Sequence, residues 1–177
     1  MADELIDILT PVGEFFGKTA LKSKAHKEGL WHASTQIWIY TPKGEILIQQ
    51  RAACKDTYPN LWDISIAGHL SAGDNAISAS IREINEEIGV STSAEALQFL
   101  KTIKTSKQPS KKIQDNEFNH LFLCCMPVDL KKLQLQTEEV SDVKLIALEE
   151  FQDLLKNDPK NFVPHGVEYY NLSLIHI

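Results

Sequence analysis

The stretch from Asn75 to Gly89 constrains this chain more than any other. Ile77, Ile81, Ile84 and Ile88 recur there at i, i+4, i+7 and i+11. A 3.6-residue helix brings that spacing onto one apolar stripe. Asp74 stands where a helix N-cap is wanted, and Gly89 where a helix ends. The same helix carries Arg82, Glu83, Glu86 and Glu87. Its three carboxylates occupy i, i+3 and i+4 and share a face. At about 100° per residue that face lies well away from the isoleucine stripe. The helix is therefore expected to bury one side and present three acids on another. Like charges at this spacing repel. A hard divalent cation with oxygen ligands offsets that cost, whereas a solvated acidic face is the plain structural alternative.

Around this helix the chain reads as strands. Residues 33–40 (ASTQIWIY) and 45–51 (EILIQQR) flank Thr41-Pro42-Lys43-Gly44, a hairpin pattern. Residues 61–67 form another expected strand, with Trp62, Ile64 and Ile66 on one face. Residues 97–105 and 117–126 read as two strands around a polar loop, 106–116, and residues 142–147 as one more. Leu148 to Lys156 is an expected helix, with another after Pro164. Residues 1–30 form an N-terminal extension, a short strand and turn followed by a Lys-rich connector from Lys18 to Lys27. The order strands, helix, strands, helix predicts a mixed α/β fold. With 177 residues and no composition break, one domain over 1–177 is expected.

The formal charge of −6, from 18 basic and 24 acidic residues, disfavours a nucleic-acid polymer held by bulk positive charge. A phosphate-bearing ligand would need a local device, such as a bound metal, to overcome the global repulsion. Cys54, Cys124 and Cys125 fit neither a zinc knuckle nor a disulfide framework. Free thiols, and the lack of a signal-like or membrane-spanning apolar run, lead to an expectation of a cytoplasmic protein without a membrane partner.

The segment Gly68 to Val90, GHLSAGDNAISASIREINEEIGV, resembles the signature of the Nudix hydrolases. Gly68, Arg82, Glu83, Ile84, Glu86, Glu87, Gly89 and Val90 match it. Asp74 departs from it, since the family usually has Glu there. The resemblance implies an α/β/α sandwich around a central mixed sheet, the box forming loop–helix–loop. It also implies cleavage of a small-molecule diphosphate with Mg²⁺ or Mn²⁺. By position, Glu83 and Glu87 would be metal ligands and Glu86 a further ligand or partner, with a backbone ligand at Gly68. Arg82 would orient the acids. Glu83 is the first candidate for general base. Family members are commonly homodimers, which sets the expectation for assembly.

Beyond the box the chain resembles the type I isopentenyl-diphosphate isomerases. His26, His32, QIWIY, the basic stretch Arg51 to Lys55, Pro59, Trp62, Gly68-His69 and the pair Asp115 and Glu117 carry this likeness. It implies that such His and carboxylate residues bind a metal, Glu117 among them. It also implies that Lys22, Arg51 and Lys55 hold a diphosphate, with His69 beside the substrate. Two departures decide the class. The isomerases carry a catalytic Cys before the Gly-His pair, where this chain has Ala67. They also commonly lose part of the Arg-Glu…Glu-Glu set, which is complete here. Hydrolysis of a small nucleotide or organic diphosphate is the expected activity. An isomerase-like enzyme and a non-catalytic diphosphate sensor are the alternatives. Downstream markers of ADP-ribose, dinucleoside-polyphosphate and NADH types are missing from their usual places, so the substrate stays open. Trp31, Trp38 and Trp62 could stack a base or fill the core. His120, Cys124 and Cys125 read as core or strand-face residues.

Overall fold

A computed structural model describes residues 3–177. Its spine is β3 (Trp31–Tyr40), whose eight inner residues are all buried. A strand buried on both faces needs cover on both, and β3 has it. Ile37 and Ile39 pack with Ile84 and Ile88 of α2 (Ala76–Ile88). Trp38 packs on the other side with Phe151 of α3 (Leu148–Asn157) and Tyr169, Tyr170 and Leu174 of α4 (Val167–Leu174). The result is helix, sheet, helix.

Among the described residues the sheet has nine strands and is mixed. β3 runs parallel to β8 (Ile113–Cys125) from Trp31↔Asn116 to Tyr40↔Cys125. It runs antiparallel to β6 (Ile66–His69), with Ser34↔His69 and Thr35↔Gly68. β4 (Glu45–Arg51) follows β3 through the expected hairpin turn and pairs with β9 (Val140–Ala147).

Four expectations are corrected. The segment 61–67 is two strands: β5 (Trp62–Asp63) on β4, and β6 on β3. Between them Ser65 accepts from Ile39 N at 2.7 Å and donates to the Leu47 carbonyl at 2.5 Å. This switch sends Ile64 into the core under α3 and α4, and Ile66 into the core under α2. Second, the loop 106–116 is mostly strand. β7 (Leu97–Ser110) and β8 continue as a hairpin, because the polar residues alternate between exposed and half-buried with period two. Third, the Lys-rich connector is structured. β1 (Leu5–Leu9) and β2 (Phe15–Leu21) form a hairpin joined to β3 through Leu9↔Trp31, and Lys22–Glu28 form α1.

The fourth correction concerns α2. Its N-cap is Asn75, not Asp74: Asn75 Oδ1 accepts from Ile77 N at 3.0 Å and Ser78 N at 2.9 Å, and Ser78 Oγ accepts from Asn75 N at 3.1 Å. Its buried residues are Ala79, Ser80, Glu83, Ile84, Glu87 and Ile88, while Ile77 is 42% exposed. The helix is thus turned from its isoleucine stripe toward two of its acids. Small Ala79 and Ser80 allow close approach, and Ser80 Oγ meets Thr35 Oγ1 at 2.5 Å. Asn75→Ala should lower stability by about 1 kcal/mol in denaturant melts, and Asp74→Asn by less than half of that. The reverse ranking would return the cap to Asp74.

Candidate active site

Two groups of ionisable side chains flank the β3–β6 pair, one on each face of the sheet. The first belongs to α2. Cross-strand register puts Gly68 on the α2 side of the sheet, and Glu83 fills the space above it. A Cβ at Gly68 would lie 2.0 Å from Glu83 Cδ, so only glycine leaves room for that carboxylate beside its carbonyl. Arg82 organises the acids. Its guanidinium donates to Glu83 at 2.7 Å, Glu86 at 3.1 Å, Asp74 at 3.4 Å and the His69 carbonyl at 2.9 Å. Glu4, from the N-terminal segment, joins at 3.8 Å.

These carboxylates are short of positive charge. Burial pushes Glu83 up to about 7, although Arg82 opposes the shift. Burial, then Glu83, raises Glu87 well above the usual range, and Glu87 Oε2 is buried with no hydrogen-bond partner. Two adjacent buried acids and an orphaned oxygen form a donor set that suits a hard divalent cation.

The second group lies on the opposite face. Ring nitrogens of His26, His32 and His69 lie within 4.8 Å of one another, and so do the ligand atoms of His32, Asp115 and Glu117. His32 Nδ1 sits 2.9 Å from the Leu30 carbonyl. A carbonyl only accepts, so Nδ1 carries a proton and Nε2 is the atom aimed into the cluster, able to ligate once its own proton is lost. His69 Nε2 is 3.3 Å from Glu117 Oε1, and His26 Nε2 is 3.8 Å from Asp115 Oδ1. Even so, all three Nε2 atoms and Asp115 Oδ1 are buried without a hydrogen bond. They converge on a shared point rather than on each other, which is the arrangement of metal ligands. Burial holds His26 and His69 down at about 4, neutral and able to ligate at neutral pH. Burial would also raise Glu117, but the His32 and His69 rings beside it hold it well below the usual range. Burial and the neighbouring Glu117 push Asp115 up to about 7.

The acids do not all share one centre. Glu117 and Asp115 sit with the histidines, while Glu83, Glu86, Glu87 and Asp74 sit on α2 and its N-terminal loop. The reason is topological: β8 approaches β3 from the edge opposite β6. Of the expected diphosphate contacts, Lys22 opens α1 beside the histidines and its charge reaches His26 and His69. Lys55 pairs with Glu139, and its charge also reaches Glu87. Arg51 is turned inward, a correction to its expected role. Its Nη1 donates to buried Asp63 at 3.0 Å, and its Nε and Nη2 donate to Thr57 at 3.0 and 3.1 Å. Asp63 needs that counter-charge. Burial would raise its carboxyl, but His165, 2.6 Å away, and Arg51 hold it far below the usual range.

Sequence reading missed Glu4, Glu139 and His165. Each comes from a segment distant in sequence, and none bears a local signal. Trp38 is core, in the aromatic cluster with Phe151 and Tyr170. Trp31 packs tilted against Phe118, ring centres 5.3 Å apart, and Lys144 lies over Trp62. Cys54, Cys124 and Cys125 are free, and Cys124 is buried.

A family model for the NUDIX domain matches residues 30–166. Nudix hydrolase 3 of Arabidopsis thaliana is 36% identical over 94% of this chain, which spans only 22% of that protein. A Nudix hydrolase of Listeria innocua is 31% identical, with 96% of this chain and 97% of the relative covered. An isopentenyl-diphosphate Δ-isomerase of Streptomyces avermitilis is 30% identical, covering 88% of this chain and 77% of its own length. Among solved structures, DR0079 of Deinococcus radiodurans superposes with a TM-score of 0.70 at 19% identity, covering 96% of this chain and 99% of its own. With a sheet sandwiched between helices, a box that departs only at Asp74 and matches of this extent, the chain belongs to the Nudix hydrolase family, on a branch that also resembles the isopentenyl-diphosphate isomerases.

Proposed function

We propose that this enzyme hydrolyses the diphosphate bond of a small nucleotide or organic diphosphate, with Mg²⁺ or Mn²⁺ at both groups of ligands. The observation that carries the reading is the complete acidic set on α2: Glu83 against Gly68, Glu86 beside Arg82, and Glu87 with a buried free oxygen. Ala67 stands where an isomerase needs its thiol, and nothing else on that strand supplies one. The three free cysteines suit a reducing compartment such as the cytoplasm.

Glu83, Glu87, Glu86 and the Gly68 carbonyl would hold one cation, and His26, His32, His69, Asp115 and Glu117 the other. Bound cations supply charge neutralisation at the diphosphate oxygens and a more acidic water. The chain's own groups do the rest. Lys22 and Lys55 bring positive charge to the diphosphate from the two sides. Arg82 fixes Glu83 and Glu86 and limits their rotation. Glu83, fixed above Gly68 and paired with Arg82, takes the proton as water attacks phosphorus. The P–O bond to the leaving phosphate breaks, giving two phosphate products.

Without cations the protein should lose stability as pH rises from about 6.5 to 8. The folded-state values of Glu83, Asp115, Glu87 and His32 are raised, and these four outweigh His26 and His69, whose lowered values act the other way. The folded chain therefore holds more protons than the unfolded chain in that window, and stability falls as they leave. Saturating Mn²⁺ should raise the melting temperature most at pH 8. A chelated protein that is as stable at pH 8 as at 6.5 would contradict the assigned cation sites.

A phosphate-release screen over varied diphosphates with each metal should find turnover that chelation abolishes. Glu87→Gln should reduce kcat by orders of magnitude with the melting temperature of the chelated protein retained or raised. Metal-independent turnover, or isomerisation by the unaltered protein, would overturn the assignment.

A further inference from the structure

The sheet face that carries the histidines does not end with them. One strand step beyond Glu117 on β8 stands Asn119, and one step beyond Ser34 on β3 stands Gln36, each step roughly 6.6 Å. Both side chains are buried, and they hydrogen-bond to each other. The network has a fixed polarity. Asn119 Nδ2 donates to the Ile103 carbonyl and to Thr105 Oγ1. The carbonyl only accepts, so Asn119 must turn its amide nitrogen there and its Oδ1 toward β3. That Oδ1 accepts from Ser34 Oγ at 3.0 Å and Gln36 Nε2 at 2.6 Å. Gln36 therefore spends its nitrogen on Asn119. Its Oε1 is left buried with no donor, in a residue only 7% exposed.

Gln36, Asn119, Thr105, Lys107, His165 and Tyr169 line a cavity of about 30 Å³. That is room for one hydroxyl-sized group, not for a ring or a branched chain. The cavity wall is rigid. His165 is held by Asp63 at 2.6 Å and stacks on Tyr169 at 4.6 Å. Tyr169 Oη is also buried without a hydrogen bond. The cavity adjoins the proposed diphosphate site on two sides. Lys107 pairs across β7–β8 with Asp115, and Gln36 pairs across β3–β6 with Ala67.

We propose that this cavity selects the organic part of the substrate, and that it takes a hydroxyl donated to Gln36 Oε1. Such a hydroxyl satisfies an acceptor that the protein leaves unpaired, and can accept in turn from Lys107 or Tyr169. A hydrocarbon placed there would strand the buried amide oxygen and lose affinity. The substrate class is thus a hydroxylated organic diphosphate rather than a plain isoprenoid one. The inference rests on the proposed diphosphate site, and its test separates the two.

Binding of two matched pairs to the Mn²⁺-loaded full chain would be measured by calorimetry, alongside phosphate release. The pairs are 3-hydroxy-3-methylbutyl against 3-methylbutyl diphosphate, and 4-hydroxybutyl against butyl diphosphate. At least one hydroxylated member should bind about tenfold tighter than its alkyl counterpart, the scale of one buried hydrogen bond. Gln36→Leu, or Gln36→Met should the first fail to fold, should bring that ratio near one. Equal or tighter binding of the alkyl member in both pairs would overturn the inference and leave a cavity that holds water alone. An unchanged ratio in a folded Gln36 variant would also overturn it. Hydrolysis without a hydroxyl preference would refute this inference only. A hydroxyl preference without hydrolysis of any diphosphate would refute the hydrolase reading only.

Discussion

The burial of Glu83 and Glu87 against the sheet is the constraint on which the rest of the structure depends. A helix that packed only its isoleucines would leave these acids in water. Instead α2 is turned so that both lie beneath it, and their carboxyls are raised by that burial. Three features make the turn sterically feasible: the missing side chain at Gly68, small residues at Ala79 and Ser80, and Arg82 bridging Glu83, Glu86 and Asp74. The remaining deficit of positive charge is local, and it is the property a diphosphate-cleaving site needs. Under the proposed function, an acidic chain would repel an anionic substrate until cations reversed the sign at one place.

β3 connects that place to the second cluster. Its partners on either edge, β6 and β8, deliver His69 and Glu117 to the same face that carries His32. Gly68, one residue before His69, faces the other way because successive strand residues alternate. The dipeptide Gly68-His69 therefore serves both clusters, one through its backbone and one through its imidazole. Arg82 ties the two further, since it accepts no proton but donates to the His69 carbonyl.

Much of this was legible in the sequence, for identifiable reasons. The box combines an apolar helical period with a fixed spacing of charges, so both the helix and the family could be read. Gly68, Arg82, Glu83, Glu86 and Glu87 come together as the spacing implies. What local pattern could not give was rotation and long-range pairing. The period placed the acids opposite the isoleucines, whereas tertiary packing against Thr35 turned two of them inward. Asn75 outcompeted Asp74 as the cap because Ser78 completes a reciprocal pair with it. Arg51 looked free in a basic loop, and only the fold reveals the buried Asp63 that claims it. The division of six acids between two clusters depends on which edge of β3 receives β8, and no short segment encodes that.

Two separate ligand groups, not one, would hold cations on opposite faces of the β3–β6 pair. Titration of Mn²⁺ into the full chain, followed by electron paramagnetic resonance of the free ion, tests it most directly. Two sites should be counted, with Glu87→Gln removing one and His69→Gln removing the other. A single site abolished by either substitution would contradict the account.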